Sequence, residues 1–152
     1  MSAEKIDQQI LYNFLQELPS GLPISKIAVI NLPRSVNLSS FVPSNIKEKS
    51  IIIDSKENDS SEIVDSLSSG LKSGNFVFLR FIGYLPKVLF DILESISKQG
   101  YFDVLKEDGT SLRRHTVASD SHVILVSERK FVESQYGNLN NLTTYVLDLE
   151  QE

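Results

Sequence analysis

The chain has no cysteine and no tryptophan. Without cysteine it has no disulfide, no thiol nucleophile and no thiolate metal site. It has two histidines, His115 and His122. Neither stands near a carboxylate cluster at ligand spacing, so no metal centre and no His-based triad is expected. No apolar run approaches membrane-spanning length. Residues Met1 to Lys5 lack a basic region followed by an apolar run, so no secretory signal is expected and the cytoplasm is the expected location. Basic residues are the minority, 15 against 20 acidic, for a net charge of -5. That balance opposes nonspecific nucleic-acid binding by the whole surface but leaves room for a local basic patch.

Glycine-rich phosphate loops are missing as well. No G-x-x-x-x-G-K-[ST] and no G-x-G-x-x-G occurs in the sequence. A phosphate cradle needs inward-facing backbone N–H groups at positive φ, plus a lysine on the phosphates. After the first apolar run, residues 33–43 contain neither glycine nor lysine.

What is present is a regular alternation. The 152 residues fit one domain, 1–152. A chain of this size buries roughly 70% of its unfolded surface without staples. Over 4–18, Ile6, Ile10, Leu11, Phe14, Leu15 and Leu18 fall at helical spacing. This amphipathic helix, with its linker to residue 23, either packs on the body of the domain or docks a partner. Ile27–Ile30, Ser50–Asp54, residues 76–82, His122–Val126 and residues 143–148 read as short strands. Residues 33–43 read as loop. Ile63, Val64, Leu67 and Leu71 give one helical face, with Asp59, Ser60 and Ser61 as candidate caps. The serines dense in this region read as solvated surface rather than phosphorylation sites. Pro86 suits the first turn of a helix with core stripe Val88, Leu89, Ile92, Leu93 and Ile96, which Gly100 would end. Two strand-like arms flank Glu107-Asp108-Gly109, so a hairpin insertion is expected over 101–118. Residues 129–136 read as a short helix. Strands alternating with helices predict a three-layer α/β domain with a mainly parallel, five-stranded sheet plus a β-hairpin.

From Gly74 to about Leu149 the pattern resembles the core of AAA+ ATPases. The nearest look is to the clade with a hairpin before sensor 1: bacterial enhancer-binding activators, the MoxR type and the midasin/dynein type. The residues that carry it are Phe78-Leu79, then Ile82 to Pro86, the helix Val88 to Ile96, Gly100-Tyr101-Phe102 opening the hairpin, and the strand Val123 to Val126. The resemblance implies a P-loop-NTPase-like fold. It also implies where the chemistry should be. Arg80 stands where the Mg²⁺-holding Asp would be, Phe81 where a Glu would polarise the attacking water, and Glu128 where a polar sensor would meet the γ-phosphate. A cation, an apolar ring and a negative charge at these three positions oppose phosphoryl transfer. No lid domain is expected after residue 152.

The expected reading is therefore a pseudo-ATPase, with no catalytic, cofactor-binding or metal-binding residues and with no cofactor. Its expected role is a scaffold, adaptor or regulatory subunit that self-associates or binds a protein partner. Arg80 would either pair with Glu128 or Asp54 or bind an anion at the top of the sheet. The alternative is nucleic-acid binding through the basic hairpin residues Arg113, Arg114 and His115. A third reading is a cryptic nucleotide-binding enzyme.

Overall fold

The computed structural model describes residues 3–18, 27–33, 37–54, 58–80, 87–105, 109–127 and 145–149. In chain order its elements are α1 (Ala3–Glu17), β1 (Ile27–Asn31), α2 (Leu38–Phe41), α3 (Ser44–Lys47), β2 (Ser50–Asp54) and α4 (Ser60–Leu71). There follow β3 (Phe76–Arg80), α5 (Lys87–Gln99), β4 (Tyr101–Leu105), β5 (Leu112–Thr116), β6 (His122–Ser127) and β7 (Tyr145–Asp148).

The apolar runs become strands because both of their faces are covered. β1 is buried along its whole length, and so is β6. Such strands show no polar alternation, as parallel sheets between helical layers require. The sheet order is β2-β3-β6-β1-β7, and every neighbouring pair is parallel. β4 and β5 form a separate antiparallel pair. The expected α/β fold with a mainly parallel sheet and a hairpin is what forms.

Alternate residues of each strand feed two cores. On one face Val29, Val77, Leu79, Val123 and Leu125 meet α4 and α5 through Leu67, Leu71, Leu89 and Leu93. On the other, Ala28, Ile30, Phe78, Ile124 and Val126 meet Leu11 and Leu15 of α1. Each fully buried aliphatic side chain of this kind contributes about 1.5–3 kcal/mol relative to exposure. The N-terminal helix thus packs at home.

Residues 33–43 are not plain loop. Leu38, Val42 and Ile46 recur every four residues and are all buried against the α1 face of the sheet. Asn37 caps α2 by accepting from the Ser39 N–H, and Pro43 separates α2 from α3. Two short helices therefore follow β1 where a loop was expected. Of the three candidate caps of α4, the structure uses Asp59. Its carboxylate accepts from the Glu62 N–H at 2.8 Å, and Glu62 accepts from the Asp59 N–H at 3.1 Å, a reciprocal capping box.

Glycine is required at Gly100 and at Gly70 for different reasons. Gly100, at φ 78°, turns the chain from α5 into β4. Gly70 lets α4 lie close on the sheet: a Cβ there would stand 2.7 Å from Ile51 Cδ1 and 2.9 Å from Val77 Cγ2. Among the described residues no helix is long and apolar enough to cross a membrane.

Candidate functional site

Parallel strands deliver their last residues to one edge of the sheet. Here these are Asn31 of β1, Asp54 of β2, Arg80 of β3, Ser127 of β6 and Asp148 of β7, which the register sets beside Asn31. Register places Asn31 beside Ser127, Asp54 beside Arg80, and Arg80 beside Val126. The chain leaves β1 through α2 and α3 on one face of the sheet. It leaves β2 and β3 through α4 and α5 on the other. The reversal falls beside β1, at the carboxyl ends of the strands, where open α/β sheets bind ligands.

Pleating then sorts the side chains. Arg80 is two residues past Phe78 and shares its face, toward the chain leaving β1. Its Nη2 donates to the Pro33 carbonyl oxygen at 3.0 Å. The guanidinium thus ties the end of β3 to the first residues after β1, a contact across 47 positions of sequence. Asn31 and Ser127 follow Val29 and Leu125 and share the opposite face. Asn31 is 6% exposed and Ser127 4%. Asn31 Oδ1 and Ser127 Oγ find no hydrogen-bond partner among the described residues. Leaving a buried polar atom unpaired costs about 1–3 kcal/mol.

The remaining positions singled out at this edge, Phe81 and Glu128, lie outside the described residues, as do residues 82–86 and the expected helix at 129–136. Asn31 and Ser127 escaped the sequence reading. The only signal was that each is the polar residue ending an apolar strand, which is common and carries no chemistry alone.

The second candidate, the basic spot on β5, is split by the same alternation. Arg114 lies opposite Asp103. Its Nε and Nη2 donate to the two Asp103 oxygens at 3.0 and 3.4 Å, and its guanidinium lies 3.9 Å from the Tyr101 ring centroid. The hydrogen bond to Asp103 holds the Arg114 pKa above its ordinary value. Arg113 and His115 belong to the other face of the strand. His115 lies tilted on Phe102, with centroids 5.2 Å apart. Burial lowers its pKa from the ordinary 6.5, and Lys72 and Arg113 lower it further, against Asp65 and Asp103. Arg113 is exposed. The other histidine, His122, is buried in β6 and stacks on Phe76 at 5.7 Å. The two histidines thus sit in different sheets. No group of three potential metal ligands occurs among the described residues.

Comparison with known proteins places the fold and nothing finer. No family model matches the chain, and no curated protein matches it. Among solved structures, the fold is similar at a distance to one of a bacterial protein. That structure is NtrX from Brucella abortus, solved in complex with ATP. The TM-score is 0.57 at 10% identity, covering 98% of this chain and 37% of the NtrX chain. The chain therefore spans about a third of the length of this neighbour, and the likeness is one of fold alone.

Proposed function

We propose that this chain is a non-catalytic, AAA+-like scaffold or regulatory domain that works through protein contacts rather than nucleotide hydrolysis. The observation that carries the reading is the Arg80–Pro33 hydrogen bond. At the strand end where the resemblance puts a metal-holding acid, this chain has a cation. That cation is committed to the backbone that would have begun a phosphate cradle. A positive charge there opposes Mg²⁺, and phosphoryl transfer depends on the ion's position and charge. The sequence adds Phe81 and Glu128 at the other two chemical positions and no glycine or lysine over 33–43. The ATP complex belongs to NtrX; nothing about nucleotide comes to this chain with the fold.

The nucleic-acid alternative has less support. Arg114 is paired with Asp103 and covered on one side by Tyr101, which leaves Arg113 as the cation of that spot outside an ion pair among the described residues.

Thermal denaturation with ATP or GTP and Mg²⁺ tests the proposal. A ligand that binds the native state at 100 times its Kd stabilises it by about 2.7 kcal/mol. The expected result at millimolar nucleotide is no rise in melting temperature. A Mg²⁺-dependent rise that Arg80→Ala alters would overturn it.

A further inference from the structure

The hairpin and α5 form a groove of about 510 Å³. Val64 of α4 and Val88 and Ile92 of α5 give it one apolar wall; Phe102 and Val104 of β4 and Leu112 of β5 give the other. Val88 is 49% exposed and Leu112 61%, two of the four large hydrophobics most open to water among the described residues.

The backbone along the groove is also unfinished. Among the described residues β4 has a strand partner on one side only. The Val117 N–H donates to the Gly100 carbonyl, which makes that opposed pair a hydrogen-bonded one. In an antiparallel ladder such pairs alternate, so Phe102 and Val104 bond to β5 while Tyr101 and Asp103 turn their N–H and C=O outward. The Tyr101 carbonyl, facing out, is taken by the Ser95 hydroxyl of α5 at 2.7 Å, which pins the inner end of the groove. The outward N–H and C=O of Asp103 have no partner among the described residues, and Asp103 lines the groove. A strand edge with free backbone groups beside an apolar trough is the arrangement that accepts an added strand.

Charge narrows the occupant. The groove's ionisable side chains are Asp91 and Asp103. Asp103 is paired with Arg114. Asp91 is exposed on α5 and has no ion pair among the described residues. We infer that the groove receives an extended segment of a partner protein that adds as a strand to the open edge of β4. Alternate apolar side chains of the segment fill the trough, and a lysine or arginine meets Asp91. This names the surface through which the protein-contact reading operates and rests on that reading.

The test uses the full chain and a short blocked peptide of alternating valine and threonine with a central lysine. Backbone amide spectra are recorded during titration. The expected result is saturable movement of the Asp103 and Val104 amides, slowed hydrogen exchange at Asp103, and binding weakened about threefold by Asp91→Lys or by a glutamate at the peptide's centre. Leu112→Ser, an exposed change that leaves the core alone, should weaken it as well. Backbone N-methylation of the peptide should abolish binding if a strand is added. No movement at Asp103 up to about 1 mM peptide, a Kd corresponding to only about 4 kcal/mol, overturns the proposal. So does binding indifferent to both Asp91→Lys and N-methylation. Concentration-dependent pairing of the chain with itself through Asp103, without peptide, would replace the partner by a second copy and also overturn it. The same spectra with ATP and Mg²⁺ keep the two readings apart. Movement confined to Asn31, Arg80 and Ser127 would count against the non-catalytic reading and leave the groove untouched.

Discussion

Ser127 and Asn31 end neighbouring strands with buried oxygens that no described group satisfies. Removing such a group recovers desolvation that a paired hydroxyl would have repaid. Ser127→Ala should therefore raise stability, by about 1 kcal/mol in urea unfolding. A fall instead would mean that the hydroxyl meets a bound group in solution. Arg80 makes the opposite case. Its bond to the Pro33 carbonyl joins a charged donor to a backbone acceptor, and Arg80→Met should destabilise by about 1.5–3 kcal/mol. His115 adds a pH dependence whose sign is fixed. Its folded pKa lies below its ordinary 6.5, so the unfolded chain binds its proton first. Its contribution is whole above the ordinary value and is lost as pH falls from there toward the folded value. The melting temperature should drop on acidification from about pH 7 to about pH 5, and His115→Phe, which keeps a ring against Phe102, should flatten that part of the curve. At this scale Arg80 was legible, because an arginine ending an apolar strand is conspicuous. Its bond to Pro33 was not, because a backbone carbonyl carries no side-chain signal; of the two carboxylates expected, Asp54 stands beside it in the register and Glu128 lies outside the described residues. Asn31 and Ser127 were illegible for a related reason, since lacking a partner is a property of the fold.

Among the elements, α4 shows what sequence patterns can reach. Asp59-x-x-Glu62 before an apolar face is a capping-box signature, and the box forms. The hairpin was equally legible, because Asp108-Gly109 between strand-like arms leaves few alternatives. α2 and α3 were missed. Their stripe of Leu38, Val42 and Ile46 runs at helical spacing, but Pro43 cuts it into pieces of four residues, too short for a periodic window. Gly70 was missed as well, because a glycine inside a helical pattern reads as a local weakness. Its reason is tertiary: α4 lies so close to β2 and β3 that a methyl group meets Ile51 and Val77 below 3 Å. Gly70→Ala would gain helix propensity of about 1 kcal/mol in an exposed helix. Here the added carbon must displace the Ile51 and Val77 side chains, a cost of about 1–3 kcal/mol that cancels or exceeds that gain. A stabilised Gly70→Ala variant in urea unfolding would refute this packing.

For the whole molecule, alternation of strands and helices was enough to read a parallel sheet between helical layers. The order β2-β3-β6-β1-β7 was not readable, because pairings between strands far apart in sequence leave no local mark. That order decides the site: it sets β1 against β6 and so brings Asn31 to Ser127. Net charge acts at the same scale and bears on the nucleic-acid reading. Binding to phosphates requires cations that release counterions, and its strength falls with salt according to their number. The chain carries a net charge of -5, and the hairpin's Arg114 is already paired with Asp103. Within the described basic spot, Arg113 alone supplies at most about one phosphate contact, hence a salt slope near -1 for binding through the hairpin, where a committed DNA binder making several contacts shows a far steeper one. Fluorescence anisotropy with duplex DNA and single-stranded RNA should therefore show no binding tighter than about 10⁻⁴ M at physiological salt. Arg113→Ala and Arg114→Ala should leave that result unchanged. Arg114→Ala should instead lower stability only slightly, because its ion pair with Asp103 is exposed and screened by solvent. Micromolar binding with a steep salt dependence, abolished by Arg113→Ala, would favour the nucleic-acid reading of the hairpin over the proposed one.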